Sequence, residues 1–151
     1  MLDITIIAIG KVKDKNYQAA TEEYTKRLRP YARLKIIEIA AVPFSSHSQE
    51  QAKEIEGKRI KEALVFRTGQ IFLLAERGKN FTSSDLAKFI EKSQPVILVI
   101  GGALGFSQDL YQNYPQLSLS PLTFPHELAR VILLEQLYRV TTILNQKAYH
   151  Y

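Results

Sequence analysis

Strand-length apolar runs alternate with amphipathic segments along the whole chain. This predicts an α/β fold with a mostly parallel sheet flanked by helices. Two observations carry the prediction. The runs ITIIAI (4–9), QIFLLA (70–75) and VILVI (96–100) are continuous rather than alternating, as befits strands covered on both faces. The segments between them place apolar residues at helical spacing and carry start and stop signals. No internal repeat or low-complexity linker divides the 151 residues, so 1–151 is expected to form a single domain long enough to bury a core.

Residues 4–9 read as the first strand, bounded by Gly10. Tyr17, Ala20, Tyr24 and Leu28 then recur at helical spacing over 15–29, and Pro30 stops that helix. Residues 34–41 (LKIIEIAA) form a second strand and 43–47 a loop. Over 48–66, Ala52, Ile55, Ile60, Ala63 and Leu64 fall near one stripe of an amphipathic helix. Thr68-Gly69 turns into the third strand, 70–75. Thr82-Ser83-Ser84-Asp85 resembles a capping box, with Asp where Glu is usual, and opens the next helix. Pro95 introduces the fourth strand, which ends in Gly101-Gly102. A short helix over 107–113 and a short strand over 116–120 (QLSLS) follow. The chain turns at Pro121 and Pro125 into its longest helix, about 126–146.

Composition narrows the chemistry. A hydrophobic content of 46% is that of a globular chain, and no apolar run approaches the roughly 20 residues of a membrane span. The opening MLDITIIAIG has an acid at Asp3 and no basic n-region, so no signal peptide is expected and the cytoplasm is the expected compartment. The absence of cysteine excludes disulfides, thiolate metal sites and a cysteine nucleophile. His47, His126 and His150 are far apart in sequence, and no metal site is expected. Twenty Lys+Arg against fifteen Asp+Glu give +5, a balance that attracts polyanions such as nucleic acid, although a merely basic soluble domain has the same count.

Four stretches could carry function. ERGKNF (76–81) sets Arg77, Gly78 and Lys79 at the carboxyl end of the third strand, where open α/β sheets bind ligands; a solvated turn is the plain alternative. VIGGALGFS (99–107) offers glycines that let a ligand approach the backbone. It is neither the dinucleotide GxGxxG, because its first two glycines are adjacent, nor a P-loop. SLSPLTFPHELAR (118–130) places Ser120, Thr123, His126 and Glu127 at the mouth of a helix whose first amides suit an anion or polar group; a capped helix without ligand has the same residues. The long helix puts Leu133, Leu137, Val140 and Leu144 on a core side and Leu128, Glu135, Arg139 and Thr142 opposite. Val131, Ile132, Leu134, Tyr138 and Ile143 widen the apolar surface, so a second cover is expected and a homodimer through this helix would supply it. Glu135 and Arg139 are spaced i,i+4, and an arginine among apolar residues can present a fixed cation to a phosphate or reacting oxygen.

In combination, LLAERGK (73–79), VIGGALGFS, LSLSPLTFPHELARVILLEQLYR (117–139) and the terminal YHY resemble the RlmH family of small SPOUT-class methyltransferases. The resemblance covers essentially the whole chain, including the opening ITIIAIGKVK. It implies a SPOUT-type fold whose C-terminal part is tied into a trefoil knot. It implies S-adenosyl-L-methionine as methyl donor and N3 of a pseudouridine in large-subunit (23S) ribosomal RNA as target, on the assembled ribosome. It further implies a homodimer whose active site combines both subunits. By position, Leu74, Gly102, Ser120, Pro121, Leu122, Thr123, Phe124 and Pro125 would bind the cofactor, with His126 and Arg130 close by. Arg139, Tyr149 and His150 would serve RNA binding and catalysis. Tyr151 departs from the family pattern, where a basic residue often follows the Tyr-His. Two other classes remain open on the residues alone: a non-catalytic nucleotide- or RNA-binding α/β protein, and an NAD-type oxidoreductase.

Overall fold

The computed structural model describes residues 1–149; His150 and Tyr151, and the expectations placed on them, lie outside the described residues. The elements run β1 (Leu2–Ile9), α1 (Lys15–Leu28), β2 (Ala32–Ile39), α2 (Gln49–Leu64), β3 (Gln70–Asn80), α3 (Ser83–Lys92), β4 (Val96–Ile100), α4 (Gln108–Asn113), β5 (Gln116–Ser118) and α5 (His126–Leu144). The five strands pair in parallel, in the order β2-β1-β4-β3-β5.

The central strands explain the continuous apolar runs. Ile4, Ile6 and Ala8 of β1, with Val96, Leu98 and Ile100 of β4, pack against α1, α3 and α5. The alternate residues Ile7, Ile9, Ile97 and Val99 pack on the other face against α2 and α4. Every side chain of β4 is therefore buried, and no polar residue can be placed there without an unpaired group. α5 lies between α1 and α3 and buries Leu133, Leu134, Leu137 and Val140.

Local chemistry fixes the helix starts. Asp14, Ser48, Thr82 and Ser107 cap α1 to α4 through side-chain oxygens. Ser48 and Gln51 form a full capping box. Thr82 accepts from the Asp85 amide (3.1 Å), but the Asp85 carboxylate takes the Thr82 hydroxyl (2.9 Å) in place of the backbone amide. Aspartate is one methylene shorter than the glutamate of the usual box.

Five sequence expectations need correction. β1 begins at Leu2, two residues before 4–9, and β5 ends at Ser118, two residues short of 116–120. β2 begins and ends two residues earlier than 34–41. β3 does not stop at residue 75: after an irregularity between Leu74 and Lys79 it continues to Asn80. Arg77, Gly78 and Lys79 are thus strand residues beside β5 and not a loop beyond the strand. Thr142, assigned to the outer side of the long helix, is 2% exposed. Its hydroxyl donates to the Arg139 carbonyl at 2.7 Å, which satisfies the polar atom inside the fold.

Gly78 marks a close backbone approach between β3 and β5. A Cβ there would stand 2.7 Å from backbone atoms of Gln116 and Leu117. Backbone cannot yield as a flexible side-chain end can, so Gly78→Ala should push the three-residue β5 off the sheet edge. A loss of about 1–3 kcal/mol is expected in urea denaturation, the range for overpacking. The loop after β5 should become more accessible to protease.

Candidate active site

A cleft of about 510 Å³ opens at the carboxyl ends of β3 and β4. Two loops form its walls, 101–106 after β4 and 119–125 after β5, and the first turn of α5 closes one side. The glycine loop is built by crowding. Gly105 has φ +76°, which a side chain rarely adopts, and its amide donates to the Gly102 carbonyl at 3.1 Å. A Cβ at Gly102 would meet Ile9 Cγ2 at 3.1 Å and a Glu56 carboxylate oxygen at 3.2 Å. The folded-back loop is held by Tyr111, whose hydroxyl accepts from the Phe106 amide and whose ring meets that of Phe106 edge-on at 5.6 Å. In the second loop, Ser120 Oγ accepts from the Leu122 amide at 3.1 Å. Pro125 stands at the N-cap of α5 and supplies no side-chain acceptor, unlike the caps of α1 to α4. Ile100, Phe106, Leu119, Leu122 and Phe124 make much of the wall apolar, edged by loop backbone. A flat heteroaromatic ring with polar edges suits such a slot.

The cleft gathers seven of the eight residues expected around a cofactor: Leu74, Gly102, Ser120, Leu122, Thr123, Phe124 and Pro125. Pro121 is exposed at the turn and does not line it. His126 does line it, whereas Arg130 lies beneath, 5% exposed. Arg130 Nη1 is 2.6 Å from Glu38 Oε2, and its Nη2 donates to the Gly10 carbonyl at 2.9 Å. Tyr111, Leu119 and Ala129 also form the wall and escaped the sequence reading. Tyr111 had one signal: an aromatic six residues beyond Gly105, on the helix that the glycine loop enters.

Glu127 plays a part that spacing could not reveal. Its Oε1 accepts from the Lys13 amide at 2.5 Å and the Asp14 amide at 3.0 Å, tying the β1–α1 loop to α5. The Asp14 amide, then the Lys13 amide and His126, hold its carboxyl below the ordinary 4.5. A depressed carboxyl contributes its stabilisation above 4.5 and loses it as pH falls through the lower folded value. Amide-exchange protection at Lys13 and Asp14 should fall in that acid window before the β4 amides respond, and Glu127→Gln should lower it already at neutral pH.

Arg139 and Tyr149 come together at the other end of α5. Glu135 Oε1 accepts from Arg139 Nη2 (2.5 Å) and Nε (3.1 Å) and from the Tyr149 hydroxyl (3.3 Å). The Arg139 guanidinium sits 5.1 Å from the Tyr149 ring centre, and the Tyr24 hydroxyl is 3.4 Å from that of Tyr149. The Glu135 hydrogen bond raises the Arg139 pKa. Burial, then the Tyr24 hydrogen bond, pushes the Tyr149 hydroxyl above its ordinary value. The tail reaches this place through a reversal at Gln146 (φ +52°), with Gln146 and Lys147 amides donating to the Ile143 and Thr142 carbonyls. Arg139 follows His126 by thirteen residues, about 20 Å of helix. Within one chain the two halves of the expected site stay apart.

Among the described residues, no group of three or more His, Cys, Asp or Glu is placed to hold a metal ion, and no helix is long and apolar enough to cross a membrane.

A parallel α/β sheet with a glycine-edged cleft at its strand ends, closed by a helix start, defines the class of α/β protein that places its ligand site at the carboxyl ends of the strands. The chain belongs to the SPOUT methyltransferase family, whose model, described as predicted SPOUT methyltransferase, matches residues 2–150. Relatives from Kosmotoga olearia, Acetivibrio thermocellus and Flavobacterium psychrophilum are each named ribosomal RNA large subunit methyltransferase H. They are 41%, 42% and 38% identical to this chain, covering 99%, 97% and 99% of it and 100%, 98% and 99% of their own lengths. Among solved structures, the crystal structure of TrmJ from Z. mobilis ZM4 matches in fold, with a TM-score of 0.55 at 11% identity over 94% of this chain and 70% of that one. The resemblance read from the sequence motifs therefore holds over nearly the full length, and the NAD-type oxidoreductase reading falls away.

Proposed function

We propose that this chain is an S-adenosyl-L-methionine-dependent methyltransferase that modifies large-subunit (23S) ribosomal RNA at N3 of a pseudouridine, on the assembled ribosome and in the cytoplasm. The observation that carries the reading is the cleft, which collects seven residues expected at a methyl-donor site from three separate stretches of chain. The names of the relatives, 38–42% identical, supply the substrate class. Residues 1–151 act as one domain on this reading, and the C-terminal trefoil knot belongs to it. The return of α5 from the β5 edge to a place between α1 and α3 is compatible with such a crossing.

The cleft fits the donor. Ile100, Phe106, Leu119, Leu122 and Phe124 offer apolar cover to an adenine, and the backbone around Gly102 and Ser120 offers polar partners to its edges. When bound, S-adenosyl-L-methionine supplies an electrophilic methyl group on a positively charged sulfur.

The chain's own residues handle the acceptor. N3 of the base lies between two carbonyls and carries a proton, which must leave as the N–CH3 bond forms. Arg139, oriented by its ion pair with Glu135, is suited to stabilise the charge that develops on a flanking oxygen. His150 is the candidate acceptor of the N3 proton. Tyr149 donates its hydroxyl to Glu135 and so fixes the arginine's partner. No nucleophile of the protein enters, which agrees with a chain that lacks cysteine.

The separation along α5 supports a homodimer in which one protomer supplies the cleft and its partner supplies Arg139, Tyr149 and His150. Half-buried Leu128, Val131 and Ile132 leave apolar surface on α5 for that contact.

Two experiments test the reading. S-adenosyl-L-methionine at 100 times its Kd should stabilise the protein by about 2.7 kcal/mol, or roughly 5–10 °C in Tm, while NAD and ATP do nothing. Labelled methyl should enter assembled ribosomes in preference to naked RNA; no transfer to either would overturn the proposal. Separately, Arg139→Ala and Gly102→Val homodimers should each be inactive. Mixing and re-equilibrating them should restore roughly a quarter of the sites, because half the dimers become heterodimers with one complete site each. Failure to complement, with subunit exchange verified by mass, would place the whole site in one chain.

A further inference from the structure

The segment Gly10-Lys11-Val12-Lys13-Asp14-Lys15 is anchored far more firmly than a strand-to-helix turn requires. The Asp14 carboxylate alone caps α1. Yet the Gly10 amide also donates to the Ile39 carbonyl at 2.7 Å, and the Gly10 carbonyl receives the buried Arg130. The Val12 carbonyl accepts from Gln18 Nε2 at 2.8 Å, and the Val12 side chain is itself buried. Glu127 takes the next two amides. Burying an arginine is costly unless it is paired, and here Glu38 pairs it.

The same wiring engages three carboxylates around the loop. Glu38 is used by Arg130, Glu127 by two amides and Asp14 by the α1 cap. Lys11, Lys13 and Lys15 are exposed, and among the described residues they join none of the ion pairs. The loop stands at the rim of the cleft: a Cβ on Gly10 would lie 3.9 Å from His126 Nε2, and His126 lines the wall. Arg77 and Lys79 lie on β3, which β4 separates from β1.

We propose that residues 10–15 form a preorganised phosphate-gripping loop, in which Lys11 and Lys13 hold the RNA backbone beside the cleft and Glu127 and Arg130 are positioning residues that fix the loop. The inference rests on the RNA methyltransferase reading and names the surface of this chain that receives the substrate. A fixed backbone lowers the entropy lost when flexible lysines engage phosphates. Each phosphate neutralised adds about 0.7–0.9 to the slope of log K against log salt.

The test measures binding of the full-length protein to purified large ribosomal subunits across a KCl series, together with methyl transfer. K11Q/K13Q should flatten the salt slope by about 1.4–1.8 and raise KM for subunits roughly tenfold or more at moderate salt, with the loss in KM rather than kcat. S-adenosyl-L-methionine affinity should not move. The charge-matched K88Q/K92Q on α3 should behave as wild type. Glu127→Ala keeps both lysines, so it should retain the slope yet bind several-fold more weakly. If wild type methylates subunits and K11Q/K13Q keeps the wild-type slope and KM, the loop proposal is wrong and the enzymatic reading stands. If wild type transfers no methyl but its binding shows the lysine-dependent slope, the reverse holds. Wild-type binding without salt dependence would overturn the loop proposal and leave the enzymatic reading to the methyl-transfer result.

Discussion

A parallel sheet covered on both faces has only its strand ends free for chemistry. In this chain β1 and β4 lie inside the sheet with helices above and below, so every side chain of β4 and most of those of β1 from Ile4 onward are committed to one core or the other. A polar group inside that layer would cost more than the few kcal/mol by which domains are stable. Function is displaced to the loops where the strands stop. There the requirement inverts: backbone must stay exposed and yet hold one shape. Glycine at 102 and 105, an aromatic brace from α4 and a proline at the start of α5 satisfy it together.

α5 then acts as the spine that joins the two halves of the molecule. Its first turn closes the cleft and its last turns carry Arg139 and the contact with Tyr149. Carboxylates organise both ends. Glu127 collects amides of the β1–α1 loop, and Glu135 collects the guanidinium and phenol that spacing alone would leave unconnected. An i,i+4 ion pair near the surface contributes only a few tenths of a kcal/mol. The worth of Glu135 is orientation: with its Oε1 taken by three donors, the arginine has one direction in which to point.

How much of this was legible follows the range of the interactions. β1 and β4 were readable because double-sided burial writes itself as a continuous apolar run, and the start of α3 because its Thr82 cap is a local contact. β3 was cut short because Glu76 to Asn80 is polar, and only its pairing with β5, forty residues on, makes it a strand. Thr142 was misplaced because a helical wheel knows angles and not neighbours; α5 has helices on two sides and the sheet beneath it. The cleft residues came from family resemblance rather than periodicity. The structure then supplies the reason they stand together, and it leaves Pro121 outside. Glu127 and Arg130 were invisible as clamps because their partners lie more than a hundred residues away, or on another strand.

The distance along α5 has a consequence for how so small a chain could work. A helix nineteen residues long, packed against a sheet and two neighbours, cannot fold back to bring its ends together. The tail does not bridge the gap either, since up to Tyr149 it turns onto α1 and the end of its own helix. Either the Arg139–Glu135–Tyr149 cluster at that end serves something other than the cleft, or a second copy presents it. The second alternative uses the half-buried apolar residues of α5, and it lets a rigid element measure the distance between donor and acceptor groups without a flexible lid. On that reading the stiffness that separates the two sets within one chain is what aligns them across two.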